Sequence, residues 1–180
     1  EAFAKEDQFL AKVYVSTTFA ILSLIMTICF LFFVGFNSFL NWSAILNIDQ
    51  QLGSQLSSII VFIFAFSCIQ FILKLTGVVP IADQRPAIND LINTAGNVVS
   101  LLCIYILTLT TQGSLFKAAF VFTGVPVIIF LVAYFILFNK EYKSIRPSFK
   151  YINFTYARDL FGLGVQFFII QIACMVILTS

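Results

Sequence analysis

Five apolar runs, each long enough to cross a bilayer, dominate the chain: residues 13–36, 56–79, 87–110, 115–139 and 160–180. A helix of about 20 apolar residues covers the hydrocarbon core of a membrane. Backbone amides at that depth find no water, so they must be satisfied inside a helix or a closed barrel. Barrel strands alternate in and out over about ten residues, whereas the polar positions inside these runs recur at helical spacing. The sequence therefore predicts an all-α fold, a polytopic transmembrane helix bundle. Composition points the same way: 61% of residues are hydrophobic and 10% are charged, against about 25% charged in a soluble domain. The chain opens at Glu1 and its last apolar run reaches Ser180, as expected of a fragment of a longer protein.

The connections carry the orientation. Residues 1–12 are charged and polar and lack the apolar core of a secretory signal. Asp83-Gln84-Arg85-Pro86 forms a tight charged turn, with Pro86 expected in the first turn of the next helix. Residues 140–159 form a basic linker rich in Tyr and Phe. When the connections are assigned alternately to two sides, Lys5, Lys12, Lys74, Arg85, Lys140, Lys143, Arg146, Lys150 and Arg158 share one side and Lys117 stands alone on the other. Basic residues mark the cytoplasmic side, which places residues 1–12 and the linker there. Within the linker, Phe149, Ile152 and Tyr156 recur at helical spacing with Lys150, Asn153 and Arg158 off that stripe. Two readings are open: an amphipathic helix lying on the cytoplasmic face, or a plain connection.

Several chemistries find no support. The chain has no His, the commonest general base and metal ligand. Cys29, Cys68, Cys103 and Cys174 stand singly in different apolar runs, as small buried hydrophobes do. Of eight carboxylates only Asp90 approaches a span, where it suits the positive end of a helix. No catalytic constellation, metal site or cofactor motif is visible, and a net charge of +2 gives no reason to expect a nucleic-acid partner. A non-enzymatic membrane protein is expected.

What remains is polarity at membrane depth. Asn89, Asn93 and Asn97 lie at i, i+4 and i+8 in the third run, within about 80° of one another on a helix. Gly96 and Ser100 fall on the same side, opposite Leu91, Ile92, Ala95, Val98, Val99 and Leu102. The second run carries Ser67, Gln70, Lys74 and Gly77 within a similar arc. Polar groups at this depth face other helices or water rather than acyl chains, and consecutive antiparallel helices are usually neighbours. Gln70, Lys74, Arg85, Asn89, Asn93, Asn97 and Ser100 are thus the candidate lining of one polar cavity. Interhelical hydrogen bonding is the alternative use of each amide.

Ala82-Asp83-Gln84-Arg85-Pro86 between two spans, Arg146-Pro147-Ser148-Phe149 in a basic loop, and the run from Gly162 through Gln171 to Ala173 together resemble the bacterial polysaccharide (O-antigen type) flippases of the multidrug, oligosaccharidyl-lipid and polysaccharide exporter superfamily. The resemblance covers most of the chain, in order. It implies a two-lobe transporter of the bacterial inner membrane, with four helices of the first lobe here, the basic linker between lobes, and the fifth helix opening the second. It implies translocation of an undecaprenyl-diphosphate-linked glycan by alternating access, with coupling to a proton or sodium ion. Asn and Gln would supply neutral partners for sugar hydroxyls; Lys74 and Arg85 are the cations on hand for a diphosphate. Membrane lipids are the other partner such a chain meets. Three alternatives stand beside it: a multidrug or cation antiporter of the same superfamily, a membrane-embedded polysaccharide polymerase or ligase, and a purely structural membrane subunit.

Overall fold

The computed structural model describes residues 8–37, 39, 40, 42, 45, 53–110, 115–158, 162 and 164. They form four long helices, α1 (Gln8–Asn37), α2 (Gly53–Ala82), α3 (Pro86–Thr110) and α4 (Leu115–Asn139), followed by short 3-10 turns, with no strand among the described residues. Every one of the four is long and apolar enough to cross a membrane, so the chain is an all-α protein of the multi-pass membrane type. The fifth span expected over 160–180 lies outside the described residues, Gly162 and Gly164 excepted. The helices match the apolar runs, but α1 and α2 begin several residues earlier. A run of apolar residues marks the hydrocarbon, and a helix continues through the headgroup layer where its polar turns are still satisfied. Cys68 is buried as expected, whereas Cys29 is exposed on the outer face of α1.

The chain divides into two compact units, the second of which spans Leu22–Lys143. In it α4 packs against both α2 and α3, which touch each other less extensively. Chain direction follows from the contacts. Phe62 meets Phe116 and Phe120, Phe66 meets Phe120, and at the far end the Tyr142 hydroxyl donates to Asp83 Oδ2 at 3.0 Å. The nearly constant sequence offset makes α2 and α4 parallel neighbours in register from end to end. Gly96 faces the Cα of Pro126 and Arg85 pairs with Glu141, so α3 runs antiparallel to α4. Glycine at 96 lets the two backbones approach, as small residues do at membrane helix seams.

The α2–α3 turn is a helix stop of the Schellman type. The Arg85 N–H bonds the Pro80 carbonyl at 2.8 Å and the Gln84 N–H bonds the Ile81 carbonyl at 3.0 Å. Gln84 has φ of 60°, the left-handed position usually given to glycine. Pro86 opens α3, where its missing N–H costs nothing. At the opposite end, Asn37 donates to Ser57 Oγ at 2.9 Å and accepts from Trp42 Nε1 at 2.8 Å, tying the end of α1 to the start of α2.

The first unit comprises Glu1–Ile21 and Ser144–Ser180. Its described core is the opening half of α1 with residues 148–156 laid along it. Of the two readings left open for the linker, an amphipathic helix over 148–159 or a plain connection, the helix is not what forms between 148 and 156. Two 3-10 turns, Phe149–Tyr151 and Phe154–Tyr156, are separated by extended residues. The backbone explains the difference. The Asn153 N–H donates to Thr17 Oγ1 at 3.1 Å and its carbonyl accepts from the same hydroxyl at 3.4 Å. Its side chain accepts from the Thr155 N–H at 3.0 Å. An Asn offering its groups to local and tertiary partners withdraws them from a helix.

Candidate functional site

Of the polar positions read from the sequence, Arg85, Asn89, Asn93, Asn97 and Ser100 lie on α3 and the α2–α3 turn, Gln70 and Lys74 lie on α2, and they do not all behave alike. The packed side of α3 is centred on Ile92, Gly96 and Ser100, which are buried. Asn89 and Asn93 are half-buried at its margin, and Asn97 is exposed near mid-helix. The stripe therefore runs along the flank of the seam rather than through its middle. Asp90 and Thr94, one position beyond Asn89 and Asn93, are exposed on the same flank and extend it. Thr94 was not singled out in the sequence, although its i+4 relation to Asp90 is the signal that could have found it.

Each amide is held differently. Asn89 packs on Gly77: a Cβ at position 77 would lie 2.1 Å from Asn89 Oδ1. Thus the two polar arcs of α2 and α3 do meet, at their turn-proximal ends. Asn93 donates to the Asn89 carbonyl at 2.9 Å, and Asn89 donates to Asp90 Oδ1 at 3.5 Å. Gln70 is half-buried and Lys74 exposed on α2. Ser100 turns into the seam, where its Oγ and that of Thr76 are the buried hydroxyls without a partner among the described residues. Both lie beside helix prolines. Thr76 is four residues before Pro80, which lacks the N–H that would bond the Thr76 carbonyl. Ser100 is one turn from Gly96, which faces Pro126.

Arg85 departs most from its expected role. Its guanidinium pairs with Glu141 and lies 3.6 Å from Asp83 Oδ2. A cation so engaged would have to leave two carboxylates before it could hold a diphosphate, which leaves Lys74 as the open cation of the candidate set. Glu141 was invisible as a partner because 56 residues separate it from Arg85. The same cluster holds Tyr142, 5% exposed. Burial, its hydrogen bond to Asp83 and the negative charges of Asp83 and Glu141 push its phenol up to about 12.

No match to this chain is found among family models, curated proteins or solved structures. Among the described residues no group of three or more His, Cys, Asp or Glu side chains gathers.

The raised phenol gives a signed pH dependence. A group whose folded-state value exceeds its unfolded value of about 10 contributes stability that is fully present below pH 10 and lost as pH rises through about 12. Tyr142→Phe is expected to lose the Asp83 bond, roughly 1 kcal/mol, and to remove that part of the alkaline decline. Unfolding midpoints of the parent and the variant, compared from pH 8 to pH 12, check it. Identical alkaline slopes would refute the assignment.

Proposed function

We propose that the chain supplies helices of a transporter that moves a lipid-linked oligosaccharide across the bacterial inner membrane by alternating access, with the flank of α3 lining the route. The observation that carries this reading is Asn97, an exposed amide near the middle of a spanning helix. Asp90, Thr94 and half-buried Asn93 stand beside it, outside the seams that α3 makes with α2 and α4. Such a flank is costly against acyl chains. Water, sugar or another polar surface is the neighbour that relieves the cost. Neutral amides and a hydroxyl suit sugar hydroxyls, each offering donor and acceptor, and Lys74, exposed on α2, is the cation this reading offers to an anionic group. The resemblance to polysaccharide flippases supports the same substrate class. The charge asymmetry of the connections supports a cytoplasmic location for the α2–α3 turn and the basic linker.

Asp90 favours a second reading in one respect. A carboxylate on the open flank suits a cationic cargo, as in a multidrug or cation antiporter, more than a phosphorylated one. The test is Asn97→Leu in the full-length protein. Because Asn97 is exposed, the substitution leaves the described seams intact, and membrane insertion is expected to be unchanged. Glycan at the cell surface is expected to fall at least tenfold while lipid-linked glycan accumulates inside. Asn93→Leu should act in the same direction. Normal glycan display in both variants would remove the oligosaccharide reading. If Asp90→Asn instead abolished efflux of organic cations, the antiporter would replace it.

A further inference from the structure

The strap of residues 146–158 presents a surface that the transport reading does not use. Its inner side is fixed to α1 within the first unit. The Ser148 N–H donates to Ser16 Oγ at 3.1 Å, and Thr17 bonds both backbone groups of Asn153. Tyr151 meets Phe9 edge-on at 5.9 Å and takes the Lys12 ammonium 4.4 Å over its ring, and Tyr156 meets Tyr14 at 5.2 Å. Its outer side is unusual for a polar connection: Phe149 is 94% exposed and Phe154 61% exposed, with Lys150 and Arg158 also exposed. From Ser144 to Arg158 there are three basic residues and no acidic one.

The level of this strap follows from helix length. The 30 residues of α1 span about 45 Å, roughly 15 Å more than the hydrocarbon core. Gln8 and Lys12 precede the apolar run and Ser16 and Thr17 lie in its opening turns, so this end of α1 carries part of the excess and enters the headgroup layer. The strap rests on those turns, at the depth of the lipid headgroups. Tyrosines packed edge-on along its inner side are the residues that favour that depth. Phenylalanine rings facing water at this depth would be unfavourable, whereas the boundary between headgroups and acyl chains accepts them. Cations beside them match anionic phosphate.

We propose that residues 146–158 are an interfacial anchor for anionic phospholipid: Phe149 and Phe154 enter the headgroup–acyl boundary of the same membrane, and Lys150 and Arg158 bind lipid phosphates around them. The inference stands apart from the transport reading, since it concerns the first unit and needs no cargo. Aromatic insertion sets the depth, and charge sets the lipid.

The full-length protein is reconstituted in nanodiscs of phosphatidylcholine alone or with phosphatidylglycerol. Phe149→Trp serves as reporter, with the parent protein giving the tryptophan background. In anionic discs the new indole is expected to be shielded from acrylamide and quenched by bromine near the acyl carbonyl. In zwitterionic discs, or with Lys150→Gln and Arg158→Gln together, docking should weaken on the order of 30-fold, from about fivefold per cation. Half-molar salt should weaken it likewise. Phe154→Trp repeats the measurement at a second point, should the first variant fold poorly. Free access of acrylamide to both indoles in anionic discs would overturn the anchor. Equal shielding in both kinds of disc would overturn the assignment of anionic lipid.

Discussion

Thr17→Val is expected to release residues 148–156 from α1 while leaving α1 itself helical. Valine matches threonine in shape and in its branched stiffness, so the fully buried site is neither emptied nor overfilled. What is lost is the hydroxyl that both donates to the Asn153 carbonyl and accepts from the Asn153 N–H. Two hydrogen bonds at roughly 1 kcal/mol each amount to about 2 kcal/mol, a shift of roughly 30-fold in the docked population. The exposed Asn153 side chain allows water to relieve part of the loss, so the figure is an upper one. Trypsin cleavage after Lys150, or amide exchange across 148–156, reads the change in the full-length protein. Ser16→Ala removes one bond to the Ser148 N–H and should produce a smaller change in the same direction. If Thr17→Val cleaves at the parent rate, the Ser16 bond and the tyrosine and Lys12 ring contacts hold the strap without the Thr17 hydroxyl.

Gly77→Leu should be the most damaging single change in the second unit. Position 77 sits in a helix interior, where glycine is about 1 kcal/mol worse than alanine, so its presence points to space rather than propensity. A Cβ there would meet Asn89 Oδ1 at 2.1 Å and Asn89 Cγ at 3.0 Å, but Asn89 Cβ only at 3.5 Å. A single methyl can therefore be admitted by turning the Asn89 amide aside. A leucine cannot, and α2 and α3 must separate at their turn-proximal ends. Overpacking of this kind costs about 1–3 kcal/mol. The sign of Gly77→Ala should depend on residue 89. It should destabilise with Asn89 present and stabilise, by the helix propensity of alanine, in the Asn89→Ala background. A double-mutant cycle on unfolding of the full-length protein measures this coupling. Additive effects would show that Gly77 and Asn89 do not contact one another in the membrane.

Much of the fold could be read from the chain because membrane helices are written in composition and length. The α3 and α4 boundaries follow their apolar runs nearly residue for residue. The polar period in α3 was equally plain, and Asn89, Asn93 and Asn97 do share one side. Which way that side faces was not legible. It is set by Gly96 against Pro126 and Gly77 against Asn89, approaches of small residues that periodicity does not encode. Arg85 looked free because its partner lies at the end of a different helix. Ser16 and Thr17 went unnoticed inside an apolar run, although three consecutive hydroxyl residues, Ser16-Thr17-Thr18, were there to be seen. Helical spacing could not decide between the two readings of the strap, because Asn153 gives its backbone groups to Thr17, a tertiary choice that local spacing cannot reveal.

The parallel registration of α2 and α4 has a mechanical consequence. Phenylalanine rings clamp the pair at one end, and the Tyr142–Asp83 bond fixes it at the other. Two rods fastened at both extremities do not slide past each other, and α3 is wedged against both of them. On the proposed transport reading, widening beside Asn97 would come from whatever lies across from this trio, the trio serving as the stationary jaw while the opposing wall swings.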